Sequence, residues 1–485
     1  MKKLISFKYL LAIIFVIIVI NLIFFTLHFF SLLIPAEIIK ARILVGFRNE
    51  NLVPENYPGE KFGWSANYTQ IGLDQFTDCS LILMTLYRGE SKIKNAIAPK
   101  RETPLSGTYC ENLRSLAEGH ANINDDGSYT LRYWVGSKVI LSFLLQYLGF
   151  FEINNLIKIL SYFSYFLIGH LIYSRKKQLF LPMFPIIVFG VFFSGINYHG
   201  GVAISLPYLV ALWVIITLLL FHRFAKYETL YPFFFIITGS VSAFFYTMSG
   251  APMLSLSMIF IVLYFIVLSQ HKEFEKYQWI SLYFAFFFIG FFSSIILKQL
   301  VSLLVFDWDM VMGSFLYHLK MRLQLPEYQG QTISAIEILN RVFGEFVLAT
   351  YGTEFLRGII INLSLFAWGG AIILGMIHFY RKGCLSVSWD LFALIIASLI
   401  VLARFVIFSG HTYIHGFFVS RFTFLPLAFG LTAFLIVLRH YIPSRRANFF
   451  SEPPQIQNVF CVLMKESTKE KIRKVFTLGS STNRK

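Results

Sequence analysis

The chain has 485 residues, of which 56% are hydrophobic, 18% are aromatic and only 14% are charged, yet its formal net charge is +16. Soluble globular proteins are about 25% charged. That shortfall, together with a mean hydropathy of +0.65, excludes a soluble enzyme, a disordered chain and a fibrous protein. The composition therefore predicts an all-α membrane protein with several transmembrane helices.

The first apolar segment runs from 9 to 35 and follows Lys2, Lys3 and Lys8. It is longer than the apolar region of a cleaved signal peptide, and it lacks a convincing small-residue cleavage site. A helix needs about 20 apolar residues to cross a membrane. We therefore predict that residues 1–35 form a retained transmembrane anchor. Its lysines place the N-terminus in the cytoplasm, because basic residues stay on that side.

Nine further apolar segments predict a polytopic bundle over residues 153–438. They are 153–172, 179–193, 202–221, 231–248, 252–269, 279–297, 358–380, 389–408 and 422–438. The expected arrangement is about ten transmembrane helices in the cytoplasmic (inner) membrane, with both termini in the cytoplasm. The loops agree with this count, since the predicted inner loops carry basic residues and the outer turns 194–201 and 249–251 carry none.

Two large outer loops are predicted, an outer loop domain at 36–152 and a second loop at 301–357 within the bundle. In the first, the pattern predicts a helix over 74–87 with a buried apolar face. Residues 134–150 are apolar but short. We predict that they form a helix lying on the outer surface, with Tyr133 and Trp134 at headgroup level. A re-entrant hairpin is the alternative.

The second outer loop contains a capping-box pattern at Ser334 and Glu337. Apolar residues follow it at helical spacing, namely Ile336, Leu339, Phe343 and Phe346. This pattern predicts a second surface helix, packed on the bundle or on the bilayer.

The four cysteines divide between the two sides of the membrane. Cys79 and Cys110 lie in the first outer loop, whereas Cys384 and Cys461 lie inside. Disulfides form in oxidising compartments. A bridge between Cys79 and Cys110 is therefore one alternative, and two free thiols are the other.

The segment 439–485 is predicted to be a basic cytoplasmic tail. It holds ten Lys and Arg against three Glu, and such a tail is attracted to anionic lipids at about 1 kcal/mol per charge. Nucleic acid is not an expected partner, because no folded module or aromatic-interleaved basic patch accompanies the charge.

The candidate chemistry gathers at the predicted outer face rather than inside the spans. Asp74 and Asp78 are four residues apart and share one helix face. Such a pair could hold a divalent cation, Mg²⁺ or Mn²⁺, or could act as a general base. A solvated helix start, with Asp74 favoured by the helix dipole, is the alternative.

A second group lies on one otherwise apolar hairpin. It comprises Arg404, His411, His415 and Arg421. Arginine binds phosphate through paired hydrogen bonds, so that this group predicts substrate binding. The alternative is an interfacial turn whose long side chains reach towards the headgroups.

Two weaker candidates remain. Asp307 and Asp309 flank Trp308 in a D-x-D arrangement that resembles a metal motif, and solvated acids beside an interfacial tryptophan explain it equally. Tyr133 and Trp134 could bind a lipid headgroup or could anchor the surface helix.

This layout is similar to that of the GT-C glycosyltransferases. Those are polytopic enzymes with a large outer loop between the first two spans, which carries a catalytic acid and surface helices, and with a further outer loop later in the chain. The similarity covers topology through about residue 440 and involves no shared motif. Asp74 lies about 40 residues beyond the first span, farther than the acid of that family usually does.

The resemblance implies a polyprenyl-phosphate sugar donor and sugar transfer at the outer face, in the assembly of a cell-surface glycan or glycolipid. Asp74 or Asp78 would act as the base, with or without a metal, while Arg404 and Arg421 would neutralise the leaving phosphate. An O-antigen polymerase or ligase would use similar outer-face residues. A lipid or polysaccharide transporter or flippase is the non-enzyme alternative, and it would need polar residues within the membrane.

Overall fold

The computed structural model describes residues 7–49, 52, 75–87, 91–101, 108–120, 128–131, 134–193, 201–224, 228–245, 251–323, 327–328, 331–340, 342, 354–382, 386–414 and 420–441. Ten of its helices coincide with the ten apolar segments of the sequence. They are α1 (Phe7–Ser31), α7 (Phe150–Arg175), α8 (Lys177–Phe193), α9 (Val202–Phe224), α10 (Tyr231–Phe244), α11 (Ala251–Val262), α12 (Glu273–Leu303), α14 (Glu354–Lys382), α15 (Ser386–Ile407) and α17 (Phe424–Tyr441). A π-helical segment, Leu263–Val267, continues α11.

Five of these helices are long and apolar enough to cross a membrane in the described part of the chain. They are α1, α7, α12, and the portions Ser205–Arg223 of α9 and Val387–Ile407 of α15. Large apolar side chains point away from the bundle on several of them. Leu22, Phe166, Phe292 and Leu399 are each more than half exposed. Because an apolar surface of this extent is unfavourable in water, the protein is an all-α membrane protein.

Helices α10 and α12 approach each other backbone to backbone, and glycines permit it. A methyl group on Gly239 would overlap the carbonyl oxygen of Phe287, and one on Gly290 would overlap the carbonyl oxygen of Ile236. Ser240 Oγ also donates to the Gly290 carbonyl at 3.1 Å. Small residues let transmembrane helices approach backbone to backbone, so these two glycines set the position of α12.

The region predicted as the first outer loop contains five helices. They are α2 (Ala36–Arg48), α3 (Gln75–Leu86), α4 (Lys92–Ile97), α5 (Tyr109–Ala117) and α6 (Gly136–Leu144), with a short antiparallel pair of β1 (Lys100–Arg101) and β2 (Ser128–Tyr129). The helix predicted over 74–87 is confirmed as α3. Helix α2 was not predicted, although Ile39 and Ile43 are buried four residues apart, a spacing that indicates one buried helix face.

The prediction for 134–150 is wrong in one respect. Residues 136–144 do form a helix, α6, but it is packed inside the protein rather than lying on the surface. Ser137, Lys138 and Ser142 are fully buried, and Trp134 is 2% exposed. Helix α6 packs against α1, α3 and α9, so that its polar residues face protein instead of headgroups.

The region predicted as the second outer loop contains α13 (Trp308–Leu323) and a two-residue antiparallel pair of β3 (Glu327–Tyr328) and β4 (Gln331–Thr332). The capping box is confirmed, since Ser334 N donates to Glu337 Oε2 at 2.7 Å and Glu337 N donates to Ser334 Oγ at 3.3 Å. These hydrogen bonds, the backbone one first, lower the pKa of Glu337. Residues 335–340 are helical, with Ile338 buried and Ile336 exposed. Phe343 and Phe346 lie outside the described residues.

Cys79 and Cys110 form a disulfide that joins α3 to α5. Their Cα atoms are 5.1 Å apart, and both residues are fully buried. The bridge closes a sequence separation of 31 residues, for which the chain-entropy model gives a stabilisation of about 3–4 kcal/mol.

We expect the double substitution of Cys79 and Cys110 by alanine to lower the free energy of unfolding by about 3–4 kcal/mol. Thermal unfolding of the detergent-purified protein would measure the loss, and reductant should lower the midpoint of the parent but not of the variant. Alkylation without reductant, followed by mass spectrometry, provides the check. Labelling of both thiols in the parent protein would contradict the bridge.

Candidate functional site

Three basic side chains meet inside the protein where α1 and α12 end. His28 lies in the last turn of α1, Lys298 lies near the end of α12, and Lys138 comes from α6. All three are fully buried, His28 and Lys298 lie against the Trp134 ring, and the two lysines are near enough for their charges to act on the His28 ring. We call His28, Lys138, Lys298 and Trp134 the cationic cluster.

Trp134 is held in place from α1. Its Nε1 donates to Asn21 Oδ1 at 3.3 Å, and Asn21 Nδ2 in turn donates to Ser294 Oγ at 3.1 Å and to the Ile17 carbonyl at 2.9 Å. The Trp134 ring stacks on His28, with centroids 5.5 Å apart, and packs near Phe244 and Phe24. Hydrogen bonds from α1 therefore hold the Trp134 ring in position against His28.

The Nζ group of Lys298 donates hydrogen bonds to uncharged oxygens. Its Nζ donates to the Ile97 carbonyl and to Ser302 Oγ, the latter at 3.2 Å, and lies 5.2 Å from the centroid of the Trp134 ring. In the described part of the chain, no carboxylate pairs with this lysine. A buried ammonium group without a counterion is costly, so that an anion supplied from elsewhere would stabilise the charged form of Lys298.

His28 gives a second indication that this site suits an anion. Both of its ring nitrogens are buried, and neither has a hydrogen-bond partner among the described residues. A buried polar group without a partner costs about 1–3 kcal/mol. A phosphate group carries several acceptor oxygens and could satisfy an imidazole N–H and lysine ammonium groups together.

An open groove is lined by residues at the ends of α1 and α6. It has a volume of about 400 Å³ and is lined by Phe30, Leu33, Ile34, Pro35, Phe143 and Gln146. Phe30 belongs to α1, which also carries His28, and Phe143 belongs to α6, which also carries Lys138. The groove is therefore a mostly apolar surface on two helices that also carry buried basic groups.

Asp78 occupies a different place from the one that the sequence suggested. It is 1% exposed, and its Oδ2 and Oδ1 accept hydrogen bonds from the backbone N–H groups of Val202 and Ala203, at 3.1 and 2.7 Å. The first N–H groups of a helix lack internal partners and attract negative charge. Asp78 thus caps α9 from the neighbouring α3, and both of its oxygens are engaged. Asp74 lies outside the described residues.

The metal prediction gains no support from the geometry. Among the described residues, no group of three or more His, Cys, Asp or Glu side chains could hold a metal ion. The cationic cluster would repel a cation, and the oxygens of Asp78 already accept backbone hydrogen bonds. A divalent cation at Asp74 and Asp78 stays a prediction.

The predicted hairpin is described in part. Arg404 is 6% exposed on α15, and its Nη1 donates to Thr412 Oγ1 at 3.3 Å on the short helix α16 (Ser409–Ile414). Arg404 therefore does contact the hairpin. His411 lies on α16 and Arg421 on a 3-10 turn, Ser420–Thr423. The side chains of His411 and Arg421, and all of His415, lie outside the described parts.

The two remaining candidates are the pair Asp307 and Asp309, and the pair Tyr133 and Trp134. Asp307 and Asp309 are exposed at the start of α13, and the Asp307 carbonyl accepts from Val311 N at 3.1 Å. Acidic residues at a helix N-terminus are favoured by the helix dipole, so that this arrangement matches the solvated alternative. Trp134 is buried rather than at headgroup level, while Tyr133 lies outside the described residues.

Sequence reasoning did not identify Lys298. The predicted span ended at Leu297, one residue before it. A lysine that interrupts the end of an apolar segment is the signal that could have found it, because an ionisable residue in a membrane helix is costly to retain.

Comparison of the chain with protein-family models, with curated proteins and with solved structures finds no match.

Proposed function

We propose that this protein is an integral membrane glycosyltransferase that uses a polyprenyl-phosphate-linked sugar donor at the outer face of the membrane. It would act in the assembly of a cell-surface glycan or glycolipid. The observation that carries the proposal is the cationic cluster, because a set of buried basic groups at one end of an apolar bundle suits a substrate that is both anionic and lipid-linked.

The cluster would hold the phosphate of the donor. Lys298 and Lys138 supply charge and His28 supplies a free ring nitrogen, all inside the protein. Electrostatic interactions there are stronger than in water. Negative charge develops on the phosphate as the sugar leaves, so that these donors would stabilise the transition state.

The groove at the ends of α1 and α6 would take the start of the polyprenyl chain. Its lining is apolar apart from Gln146, and Phe30 and Phe143 lie on the helices that carry His28 and Lys138. Arg404 and Arg421 remain candidates for the glycan or phosphate of a second substrate. Asp74 is the better candidate for the base, since the oxygens of Asp78 cap α9.

The proposed orientation is the one that the loop charges favour. Ten crossings of the cytoplasmic (inner) membrane, with both termini in the cytoplasm, leave the cationic cluster at the outer face. The tail from 439 to 485 would then lie against anionic lipids of the inner leaflet.

A transporter or flippase for lipid-linked glycans is the second candidate. It is favoured by the presence of ionisable groups at both ends of α12, the buried cationic cluster at one end and the half-buried Glu273 with the buried Lys276 at the other. Ionisable residues in such positions mark ion and proton pathways in transporters. An O-antigen polymerase or ligase would use the same outer-face chemistry on a lipid-linked glycan.

Loss of the protein tests the proposal directly. In cells that lack it, we expect the surface glycan to lose one sugar and the lipid-linked donor to accumulate in the outer leaflet. Glycan mass spectrometry and leaflet-specific labelling of the lipid measure the two effects, with alanine variants at Asp74, His411, His415 and Arg421 compared at equal membrane abundance. Accumulation in the inner leaflet would support the transporter, and unchanged glycans and lipids would exclude both readings.

A further inference from the structure

A second polar network lies at the opposite end of α12 from the cationic cluster. Glu273 is the first residue of α12 and Lys298 is its twenty-sixth, so that the two are about 38 Å apart along the helix. The hydrocarbon core of a membrane is about 30 Å thick. The network therefore belongs to the other face of the bundle and is separate from the proposed substrate site.

Tyr264 stands at the centre of this network. It lies in the π-helical segment after α11 and is fully buried. Its hydroxyl oxygen is 2.5 Å from Glu273 Oε2 and 3.1 Å from Asp390 Oδ1. Tyr264 and Glu273 flank the turn between α11 and α12, whereas Asp390 belongs to α15. The tyrosine thus joins the α11–α12 hairpin to a distant helix.

The hydroxyl group of Tyr264 contacts two carboxyl groups but can donate a hydrogen bond to only one of them. A tyrosine hydroxyl has one hydrogen to donate. Both oxygens of Glu273 act as acceptors. Oε1 accepts from Lys276 Nζ at 2.8 Å, and the shorter of the two Tyr264 contacts directs the hydroxyl hydrogen to Oε2. Only lone pairs of the Tyr264 oxygen then face Asp390. In the described part of the chain no other donor reaches Asp390, so that Asp390 must supply the hydrogen of the 3.1 Å contact itself.

The charges around Asp390 are consistent with this count. Burial opposes its ionisation most strongly and Glu273 opposes it further, while Lys276 and Lys176 favour it. Both lysines donate to other oxygens. Lys276 pairs with Glu273, and Lys176 Nζ donates to the Phe265 carbonyl at 3.1 Å. Neither forms an ion pair with Asp390 among the described residues. Tyr277, next to this network, donates to the Trp389 carbonyl at 3.3 Å.

We propose that Asp390 carries a proton in the folded protein, and that Glu273, Tyr264 and Asp390 form a proton-sensitive contact between the α11–α12 hairpin and α15. Loss of that proton would place a carboxylate against the lone pairs of the Tyr264 oxygen. The contact would break, and α15 would be released from the hairpin at this end. The inference does not depend on the proposed enzymatic activity.

The proton makes stability depend on pH. In the unfolded chain an aspartic acid loses its proton near pH 3.9, whereas the folded protein retains it at Asp390. The folded state then binds more protons than the unfolded state, so that stability falls as the pH rises. We expect the thermal midpoint of the detergent-purified protein to fall by at least about 2 °C between about pH 5 and about pH 9.

The Asp390→Asn variant tests whether the proton on Asp390 causes this dependence of stability on pH. Its amide group supplies the donor that Tyr264 needs and has no proton to lose, so that its midpoint should fall less steeply with pH than that of the parent over the same range. The Glu275→Gln variant is the matched control. Glu275 is exposed on α12, 3.6 Å from His271, and its variant should follow the parent. An Asp390→Asn midpoint that falls with pH as steeply as that of the parent would overturn the proposal.

Infrared spectroscopy tests whether Asp390 is protonated even if the asparagine variant does not fold. A protonated carboxyl group has its own carbonyl stretching band, which shifts in D₂O. We expect that band in the parent protein at neutral pH, a change in its frequency in Asp390→Glu, and its loss in Asp390→Asn. Absence of the band from the parent, or an unchanged band in Asp390→Glu, would contradict a proton on Asp390.

Discussion

Replacement of Lys298 by methionine is expected to lower sugar transfer by about 100-fold while the amount of folded protein stays the same. The ammonium group of Lys298 would stabilise the charge that develops on the donor phosphate, and methionine keeps the length of the side chain without that charge. Stability should not fall, because removal of a buried charge also removes its desolvation cost. Transfer of the sugar in membranes, normalised to the protein detected by size-exclusion chromatography, measures the effect.

The exposed Lys92 on α4 provides the matched control. Lys92→Met removes a positive charge from a nearby helix and should leave both transfer and stability unchanged. If Lys298→Met loses activity only in proportion to its loss of folded protein, then the lysine acts through its bond to the Ile97 carbonyl and has no part in substrate binding.

Gly239→Ala should destabilise the protein by more than about 3 kcal/mol. The added methyl group would overlap the Phe287 carbonyl oxygen on α12, and backbone atoms cannot move aside as a flexible side chain can. The α10 and α12 helices would have to separate, which would also weaken the hydrogen bond of Ser240 with Gly290. Thermal unfolding in detergent and the yield of folded protein report the loss.

Gly369→Ala is the control for the same chemical change. Nothing lies within 4 Å of a methyl group at this position on α14. Alanine favours a helix over glycine by about 1 kcal/mol, so that the control should match or exceed the parent in stability. Equal midpoints for the two alanine variants would mean that α10 and α12 are not in backbone contact.

The helices of the bundle could be predicted from the sequence because their signal is local. Each is a run of apolar residues whose length matches a membrane, and the ten predicted segments all coincide with helices. The same local reasoning found α3 and the capping box at Ser334. It missed α2, where a short amphipathic helix follows a long apolar one after Pro35.

The candidate site could be predicted only in part. His28 and Lys138 stand out as polar residues in apolar segments, but their sequence separation of 110 residues hides that they meet. Asp78 shows the opposite error. Its spacing to Asp74 suggested a shared chemical role, whereas its carboxylate is engaged by the first N–H groups of α9, more than 120 residues later.

The low charged fraction and the high net charge of the chain are thus explained at two levels. Composition and hydropathy by themselves determined that the chain is an all-α membrane protein, because the cost of exposing apolar helices to water depends only on the residues present. Which of the few charged residues are buried together was decided only by the tertiary structure. Pairing of Lys298 with Trp134 and of Tyr264 with Asp390 depends on how distant helices pack, and no local pattern carries that information.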